Sequence, residues 1–148
     1  MINQLKLEKD ILSEIETNYQ KTTGLNYLFH QSWEFYDGNE KNDYVVIMVD
    51  LKELAFHELD CLYQAKLDIY LRVSLEQDET FAVIQTEIDN INAVIPYITA
   101  DYDNGDVGKV TFVKSSKDNN EVYRVMQFEY SMLLSEHEVI DFNIVPTA

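Results

Sequence analysis

The chain has 148 residues, of which 46% are hydrophobic and 12% aromatic, so it can bury a core without disulfides. Its 27 acidic and 11 basic residues give a formal net charge of −16, which disfavours direct binding to nucleic acid or to an anionic membrane. The single cysteine, Cys61, excludes an internal disulfide. We expect one intracellular domain over residues 1–148 that acts through its surfaces and not through a catalytic site.

Targeting signals are not recognisable in the sequence. The first residues lack the basic and apolar regions of a secretory signal. No apolar run approaches the roughly 20 residues that are needed to span a bilayer. We expect a protein that is made in the cytoplasm and makes no membrane contact.

The N-terminal residues predict a helix. Leu5, Leu12, Ile15 and Tyr19 lie on one stripe at helical spacing, which predicts a helix over residues 4–21. The charged residues Lys6, Lys9, Glu14 and Glu16 lie off this stripe, as is typical of a helix with one buried face.

Alternating residues then predict a pair of strands. Residues 27–36 have a period of two, residues 37–42 form a polar turn, and residues 44–51 resume the alternation. This order predicts a β-hairpin. Residues 52–63 are compatible with a short helical turn or with an extension of the strand, and both interpretations remain open.

The clearest strand pattern covers residues 64–75, where apolar residues occupy every second position. A loop follows, and Thr80 is a suitable N-cap for a second helix with apolar residues at helical spacing. Pro96 predicts the end of that helix, because the residue before a proline is disfavoured in helical geometry.

The C-terminal part predicts an acidic loop at 101–108 and two strands at 107–115 and 121–134. Both faces of the second strand carry large side chains, which predicts a central position in the sheet. The last residues are too apolar for a tail left in water, so we expect segment 135–148 to be an arm that contacts a neighbouring subunit.

The predicted order of elements is α-β-β-β-α-β-β. Strands that follow one another with short connections favour antiparallel pairing, and the two helices each have one apolar stripe to bury. We therefore expect an α+β fold, a mostly antiparallel sheet with helices packed on one face.

Acidic residues are concentrated between Arg72 and Lys109. That stretch has eight acidic residues and no basic one, so it supplies half of the net charge. Two interpretations remain open: a solvated face with acidic loops, or a dedicated docking surface.

Two short motifs resemble metal sites. His57 and Cys61 are four residues apart, but a zinc site needs three or four ligands and the other histidines lie on distant predicted elements. The run that begins at Asp101 resembles a calcium loop, but its glycine is fifth instead of sixth and its twelfth residue is Phe112. We expect no metal, no cofactor and no enzymatic activity.

The predicted elements follow one another in a definite order. It runs from one helix through an aromatic-to-aliphatic hairpin, the alternating strand at 65–73 and a second helix to the strand at 123–130. Over residues 5–134 this layout resembles the tail terminator (tail completion) proteins and related head–tail joining proteins of long-tailed bacteriophages. The resemblance implies a virion protein of the tail or neck, forming a homo-oligomeric and commonly hexameric ring. Such a ring caps the tail tube, and its expected partners are the tail-tube protein and head-completion or connector proteins.

The resemblance also implies roles for particular residues. An acidic ring would keep DNA from adhering to its lumen, because carboxylates and phosphates repel at close range. The candidate lumen or docking loops contain eight acidic residues: Asp37, Glu40, Glu76, Asp78, Glu79, Asp101, Asp103 and Asp106. The candidate inter-subunit arm contains three apolar residues: Val139, Ile140 and Phe142.

Two other functions remain open. An acidic protein of this size would suit a DNA mimic that inhibits a nuclease, of the anti-restriction or anti-CRISPR kind, although its acidic residues form no continuous ladder. It would also suit an immunity or adaptor protein that binds one basic partner. Either alternative implies a cytoplasmic location instead of the virion.

Overall fold

The computed structural model describes residues 4–31, 44–57, 62–102, 109–119 and 121–135, with the backbone alone for His57 and residues 99–102. The elements are α1 (Gln4–Asn18), β1 (Asn26–Gln31), β2 (Tyr44–His57), β3 (Leu62–Ser74), α2 (Ala82–Tyr102), β4 (Val110–Lys117) and β5 (Tyr123–Ser135), with a 3-10 turn at Leu75–Gln77. The predicted α+β fold and its element order, α-β-β-β-α-β-β, are confirmed.

The five strands form one sheet in the order β1-β2-β3-β5-β4. Three of its strand pairs are antiparallel: β2 with β3, β3 with β5, and β5 with β4. β5 lies between two neighbours, as its large side chains on both faces predict, and β1 and β4 are the two edges. The helices pack against each other, with α1 on β1 and β2 and with α2 on β3 and β4.

The first two strands do not form the predicted hairpin. β1 pairs with β2 in parallel, with Asn26 opposite Tyr44 and Gln31 opposite Val49. A period of two determines which side chains share a face, but it is the same in parallel and antiparallel strands. The hairpin prediction was therefore wrong about the direction of the strands.

The ambiguous segment 52–63 is an extension of the strand in its described part. β2 continues to His57, which lies opposite Leu62 at the start of β3, so β2 and β3 form the long hairpin of this fold. The register shifts between Leu51 and Glu53, which marks a β-bulge in β2. The alternative of a helical turn is thereby excluded for residues 52–57.

The stripe predicted for the N-terminal segment is confirmed at Leu12, Ile15 and Tyr19, which are buried, and is wrong at Leu5. Leu7, Ile11 and Ile15 are buried at intervals of four residues, whereas Leu5 is 54% exposed. The helix ends at Asn18, three residues before the predicted end at position 21. Leu5 is exposed because more than one apolar stripe can be drawn on a short helix, and contact with the sheet selects one of them.

Pro96 does not end α2, which continues to Tyr102. A proline inside a helix costs about 3 kcal/mol, because it removes a backbone donor and crowds the preceding turn. The helix buries Ile91 and Val94 before the proline and Ile98 after it. Burial of each such side chain stabilises by about 1.5–3 kcal/mol. Packing on the sheet therefore outweighs the local preference, and the prediction of a stop at Pro96 was wrong.

The core lies between the helices and one face of the sheet. The alternation in β3 is confirmed, since Leu67, Ile69, Leu71 and Val73 are fully buried. The neighbouring strands present apolar residues to the same layer: Ile47, Val49, Leu51, Phe128, Tyr130, Met132 and Leu134. The opposite face of the sheet bears polar residues, among them Asp50, Asp68 and Glu129.

Candidate functional site

Only part of the predicted site lies within the described residues. Glu76 and Glu79 are exposed in the connection between β3 and α2, where they were expected. Asp101 belongs to the last turn of α2, where the structure describes the backbone alone. The remaining residues of the predicted loops and arm, apart from Asp78, lie outside the described part: Asp37, Glu40, Asp103, Asp106, Val139, Ile140 and Phe142.

Asp78 is placed differently from its neighbours in the loop, because only 1% of it is exposed. Its Oδ1 accepts the N–H of Val83 at 3.0 Å, and its Oδ2 accepts the N–H of Ile84 at 3.2 Å. Asp78 therefore provides the capping carboxylate of α2, a role that the sequence had suggested for Thr80. The negative charge also lies at the positive end of the helix dipole.

An ion pair fixes Asp78 to β5. Arg124 Nε lies 3.2 Å from Asp78 Oδ2, and the guanidinium donates two hydrogen bonds to the backbone oxygen of Asp78. The same guanidinium stacks over the ring of Phe81, 3.5 Å from its centroid. This carboxylate faces the inside of the protein, so the docking role predicted for Asp78 does not agree with its position.

Glu87 forms a second internal carboxylate site, on the buried face of α2. It is fully buried and accepts hydrogen bonds from the hydroxyl groups of Tyr19 and Tyr27, the latter at 2.6 Å. Thr22 Oγ1 donates to the same carboxylate at 3.3 Å, and Asn90 Nδ2 donates at 3.5 Å. The cluster thereby joins the segment that follows α1, the strand β1 and the helix α2 around one carboxyl group.

The two tyrosines of this cluster are held in their neutral form. Burial, and then the hydrogen bond to Glu87, raise the pKa of both Tyr19 and Tyr27 above the ordinary tyrosine value. A cavity of about 150 Å³ lies beside Glu87 and is lined by Leu25, Val83 and Thr86 among others. Both oxygens of the buried Glu87 accept hydrogen bonds, so the cluster is satisfied within the chain and holds the helices and β1 together.

Glu87 belongs to the acidic stretch between Arg72 and Lys109, but its position in the sequence also indicates burial. Ile84, Glu87 and Ile91 have helical spacing and share the apolar stripe of α2. A charged residue within such a stripe is buried only when partners satisfy it. The tyrosine partners come from distant elements, so the sequence alone did not identify them.

The helix-free face of the sheet carries a row of three acidic residues on β2, β3 and β5. Asp68 lies between Asp50 and Glu129 in the register of these strands. Asp68 is only 1% exposed, and its Oδ2 lies 3.3 Å from Lys52 Nζ and accepts a hydrogen bond from Gln127 at 2.8 Å. These cationic and polar partners offset the repulsion expected between like charges on adjacent strands.

The edge strand β4 exposes apolar side chains. Every residue of β4 after Val110 is exposed, and Phe112 and Val113 have 55% and 58% of their surface accessible. The register shifts between Phe112 and Lys114, which marks a β-bulge at Val113. The Phe112 ring meets Tyr130 of β5 edge to face, with 5.9 Å between ring centroids.

The same strand carries positive charge in an acidic chain. Residues 109–117 include Lys109, Lys114 and Lys117 and no acidic residue. Lys114 Nζ lies 3.1 Å from the carboxylate of Glu129, and the lysine side chain is 70% exposed. We call this surface, formed by Phe112, Val113 and the three lysines, the β4 edge. The amino-acid pattern did not predict this surface, because nothing in the sequence indicates that this strand lies at an edge of the sheet.

The described residues lack two common functional signatures. No described helix is long and apolar enough to cross a membrane. No described group of three or more His, Cys, Asp or Glu residues is placed to hold a metal ion. Comparison with known proteins finds no family model and no curated protein that matches the chain.

Proposed function

We propose that this chain is a structural protein of a long-tailed bacteriophage, a tail terminator or neck component whose copies form a ring that caps the tail tube and docks to the head. The observation that carries the proposal is the β4 edge, a lysine-bearing apolar edge that a strongly acidic chain leaves exposed. A subunit that assembles with its own copies needs such a surface, whereas a monomer gains nothing from exposing it.

The arrangement of elements supports the same proposal. The described fold has the N-terminal helix, the long alternating strand, the second helix and the final strand on which the resemblance to tail terminators depends. The parallel β1–β2 pair replaces the hairpin that was also part of this resemblance. The two sheet edges differ in direction and composition, as suits a ring, in which each subunit contacts its neighbours through two different surfaces.

The charge of the chain suits passage of DNA. A ring of several copies multiplies the net charge of −16, and carboxylates near the lumen repel phosphates within a Debye length of about 10 Å. Glu76 and Glu79 are exposed beside the start of α2 and are the described residues that best suit such a lumen or a docking surface. The expected partners are the tail-tube protein and the head-completion or connector proteins.

The alternative of a DNA mimic has less support in the positions of the carboxylates. A mimic needs its acidic groups at the surface, with the spacing of phosphates. Asp68, Asp78 and Glu87 are instead almost completely buried and engaged by internal partners. The third interpretation, an adaptor or immunity protein for one basic partner, gains no particular support from the described residues.

The mass of the protein in solution tests the proposal. We expect native mass spectrometry and light scattering at physiological salt, over a concentration series, to detect a closed ring near six times the 17.3 kDa chain mass. Rings that form only on purified tail tubes, seen at the tube end by electron microscopy, would support it equally. A monomer or dimer at every concentration that does not bind tube ends would refute it, and nuclease inhibition would then favour the DNA mimic.

A further inference from the structure

The β4 edge exposes apolar side chains to solvent that binding of another segment would bury. Phe112 and Val113 are each more than half exposed, and no described part of the chain lies over them. Among the described strands β4 pairs with β5 alone, so its other side offers backbone donors and acceptors to an added strand. A strand laid along this side would cover both side chains and extend the sheet.

The charge of the β4 edge restricts what can bind there. Two β4 strands paired with each other would bring lysines close to lysines, and edge lysines and bulges are known to discourage such pairing. An acidic strand would instead be attracted to Lys109, Lys114 and Lys117. The β4 edge therefore disfavours pairing with a second β4 strand and favours pairing with an acidic, apolar segment.

This chain contains a segment of that chemistry at its C-terminus, outside the described residues. Residues 136–148 include Glu136, Glu138 and Asp141 and no lysine or arginine. Within it, apolar residues alternate with polar ones, the period of a strand with one buried face: Ile140, Asp141, Phe142, Asn143 and Ile144. Its 13 residues would reach roughly 40 Å when extended, longer than the eight residues of β4 need.

We propose that the β4 edge of one copy binds the C-terminal segment 136–148 of a second copy, which adds to the sheet as a further strand beside β4. The inference rests on the ring-forming function proposed above and names the contact between neighbouring subunits. Apolar residues of the segment cover Phe112 and Val113, and its carboxylates lie near the lysines. Because each copy both offers a segment and receives one, the contact is head to tail and can close into a ring.

A charge exchange between the two surfaces tests the contact. One variant carries Lys109→Glu and Lys117→Glu, and the other carries Glu136→Lys and Glu138→Lys; Lys114 is left intact because it pairs with Glu129. Each variant alone brings like charges together at every contact, so the concentration for half-assembly should rise about tenfold or more. An equimolar mixture should regain wild-type assembly as alternating rings, measured by native mass spectrometry.

The apolar part of the contact has a matched control. Phe112→Ser should weaken assembly by a similar factor, whereas Tyr97→Ser should not, although Tyr97 on α2 is 51% exposed. Circular dichroism and urea unfolding would verify that each variant is folded.

Particular outcomes separate this inference from the proposed function. Wild-type assembly of both charge variants alone would overturn the β4 contact while leaving the ring intact. Failure of the mixture to recover would also overturn it, since a contact within one chain is not rescued by a second copy. If the wild-type chain formed no ring, in solution or on tail tubes, both the proposed ring function and the inferred β4 contact would be refuted.

Discussion

The two edge strands of the sheet, β1 and β4, differ in how their side chains are packed and hydrogen bonded. At β1, Gln31 is only 2% exposed and its side-chain amide donates to the Leu5 carbonyl and to the carboxylate of Glu8. Tyr27 of the same strand reaches Glu87 on α2. At β4, exposed residues follow Val110 to the end of the strand, and the side chains there are lysines, serines and large apolar groups.

This difference shows two solutions to the problem of an unpaired strand. The β1 edge is tied to both helices by two buried carboxylates, Glu8 and Glu87, which accept hydrogen bonds from the side chains of Gln31 and Tyr27. Among the described residues the β4 edge remains unpaired and apolar. Such a surface promotes aggregation of a monomer, but it can form the contact between subunits of an assembly. Substitutions at β1 should therefore change the stability of the chain, whereas substitutions at β4 should mainly change association.

The largest expected effect is at the Glu87 cluster beside β1. Glu87→Ala removes the acceptor of the buried Tyr19 hydroxyl and of the partly buried Tyr27 hydroxyl, and a buried donor costs about 1–3 kcal/mol when left unsatisfied. We expect the free energy of unfolding in urea at pH 7 to fall by about 3 kcal/mol. The control is Asp89→Ala on the exposed side of α2, expected within about 0.5 kcal/mol of wild type. Equal effects of the two variants would contradict the role assigned to the cluster.

A smaller loss is expected at Glu8, which joins α1 to the bulge of β2. Its Oε2 accepts the backbone N–H of Leu51 at 2.6 Å, and its Oε1 accepts Gln31 Nε2 at 3.1 Å. Glu8→Ala should lower the free energy of unfolding by about 2 kcal/mol, because the Leu51 donor stays buried without an acceptor. Glu16→Ala on the exposed side of the same helix is the matched control, and a loss there of similar size would refute the explanation.

Removal of the hydroxyl group should have opposite effects at Tyr27 and at Tyr130, because only the first has a hydrogen-bond partner among the described residues. Tyr27→Phe deprives Glu87 of a donor and should destabilise the protein by about 1.5 kcal/mol. Among the described residues nothing hydrogen bonds the buried hydroxyl of Tyr130, so Tyr130→Phe should stabilise by about 1 kcal/mol. Urea unfolding of both variants measures the sign directly, and a loss for Tyr130→Phe would indicate a partner for that hydroxyl.

The pH dependence of stability should identify the contribution of Tyr130 separately. Burial raises the pKa of Tyr130 to about 12, whereas tyrosine in an unfolded chain ionises near pH 10. The unfolded state therefore releases its proton first, and the stabilisation, complete below pH 10, is lost as the pH rises toward 12. The free energy of unfolding of Tyr130→Phe should therefore fall less steeply with pH than that of the wild type between pH 10 and 12. Identical slopes of the two curves would contradict the raised pKa.

The smallest effect on stability is expected at the β4 edge. Phe112 is 55% exposed, so Phe112→Ser should change the free energy of unfolding of the unassembled chain by no more than about 1 kcal/mol. The same variant should lose assembly. A large fall in stability without any change in mass would show that Phe112 belongs to the core and not to a contact surface.

Much of the candidate site escaped prediction because burial of charge is not a local property. The exposure of Glu76 and Glu79 followed from their place in a polar connection. Asp78 lies in the same connection, yet its partner Arg124 comes from β5, 46 residues further along the chain. The lysines of β4 became informative only when the strand proved to be an edge.

The sequence by itself determined the order of the elements, the fold class and the buried face of β3. These follow from local periodicity, since every second residue of a strand and every third or fourth of a helix must face the core, whatever the neighbouring element is. Leu67, Ile69 and Leu71 were assigned correctly for this reason.

Only the tertiary structure decided the direction of β1, the continuation of α2 through Pro96, and which acidic residues are internal. Each depends on contacts between residues that are distant in the sequence. Such contacts supply several kcal/mol, enough to override a local preference or to satisfy a buried carboxylate. The strand order, which leaves β4 as an open edge, belongs to the same class, because pairing between strands is settled by the packing of the whole sheet.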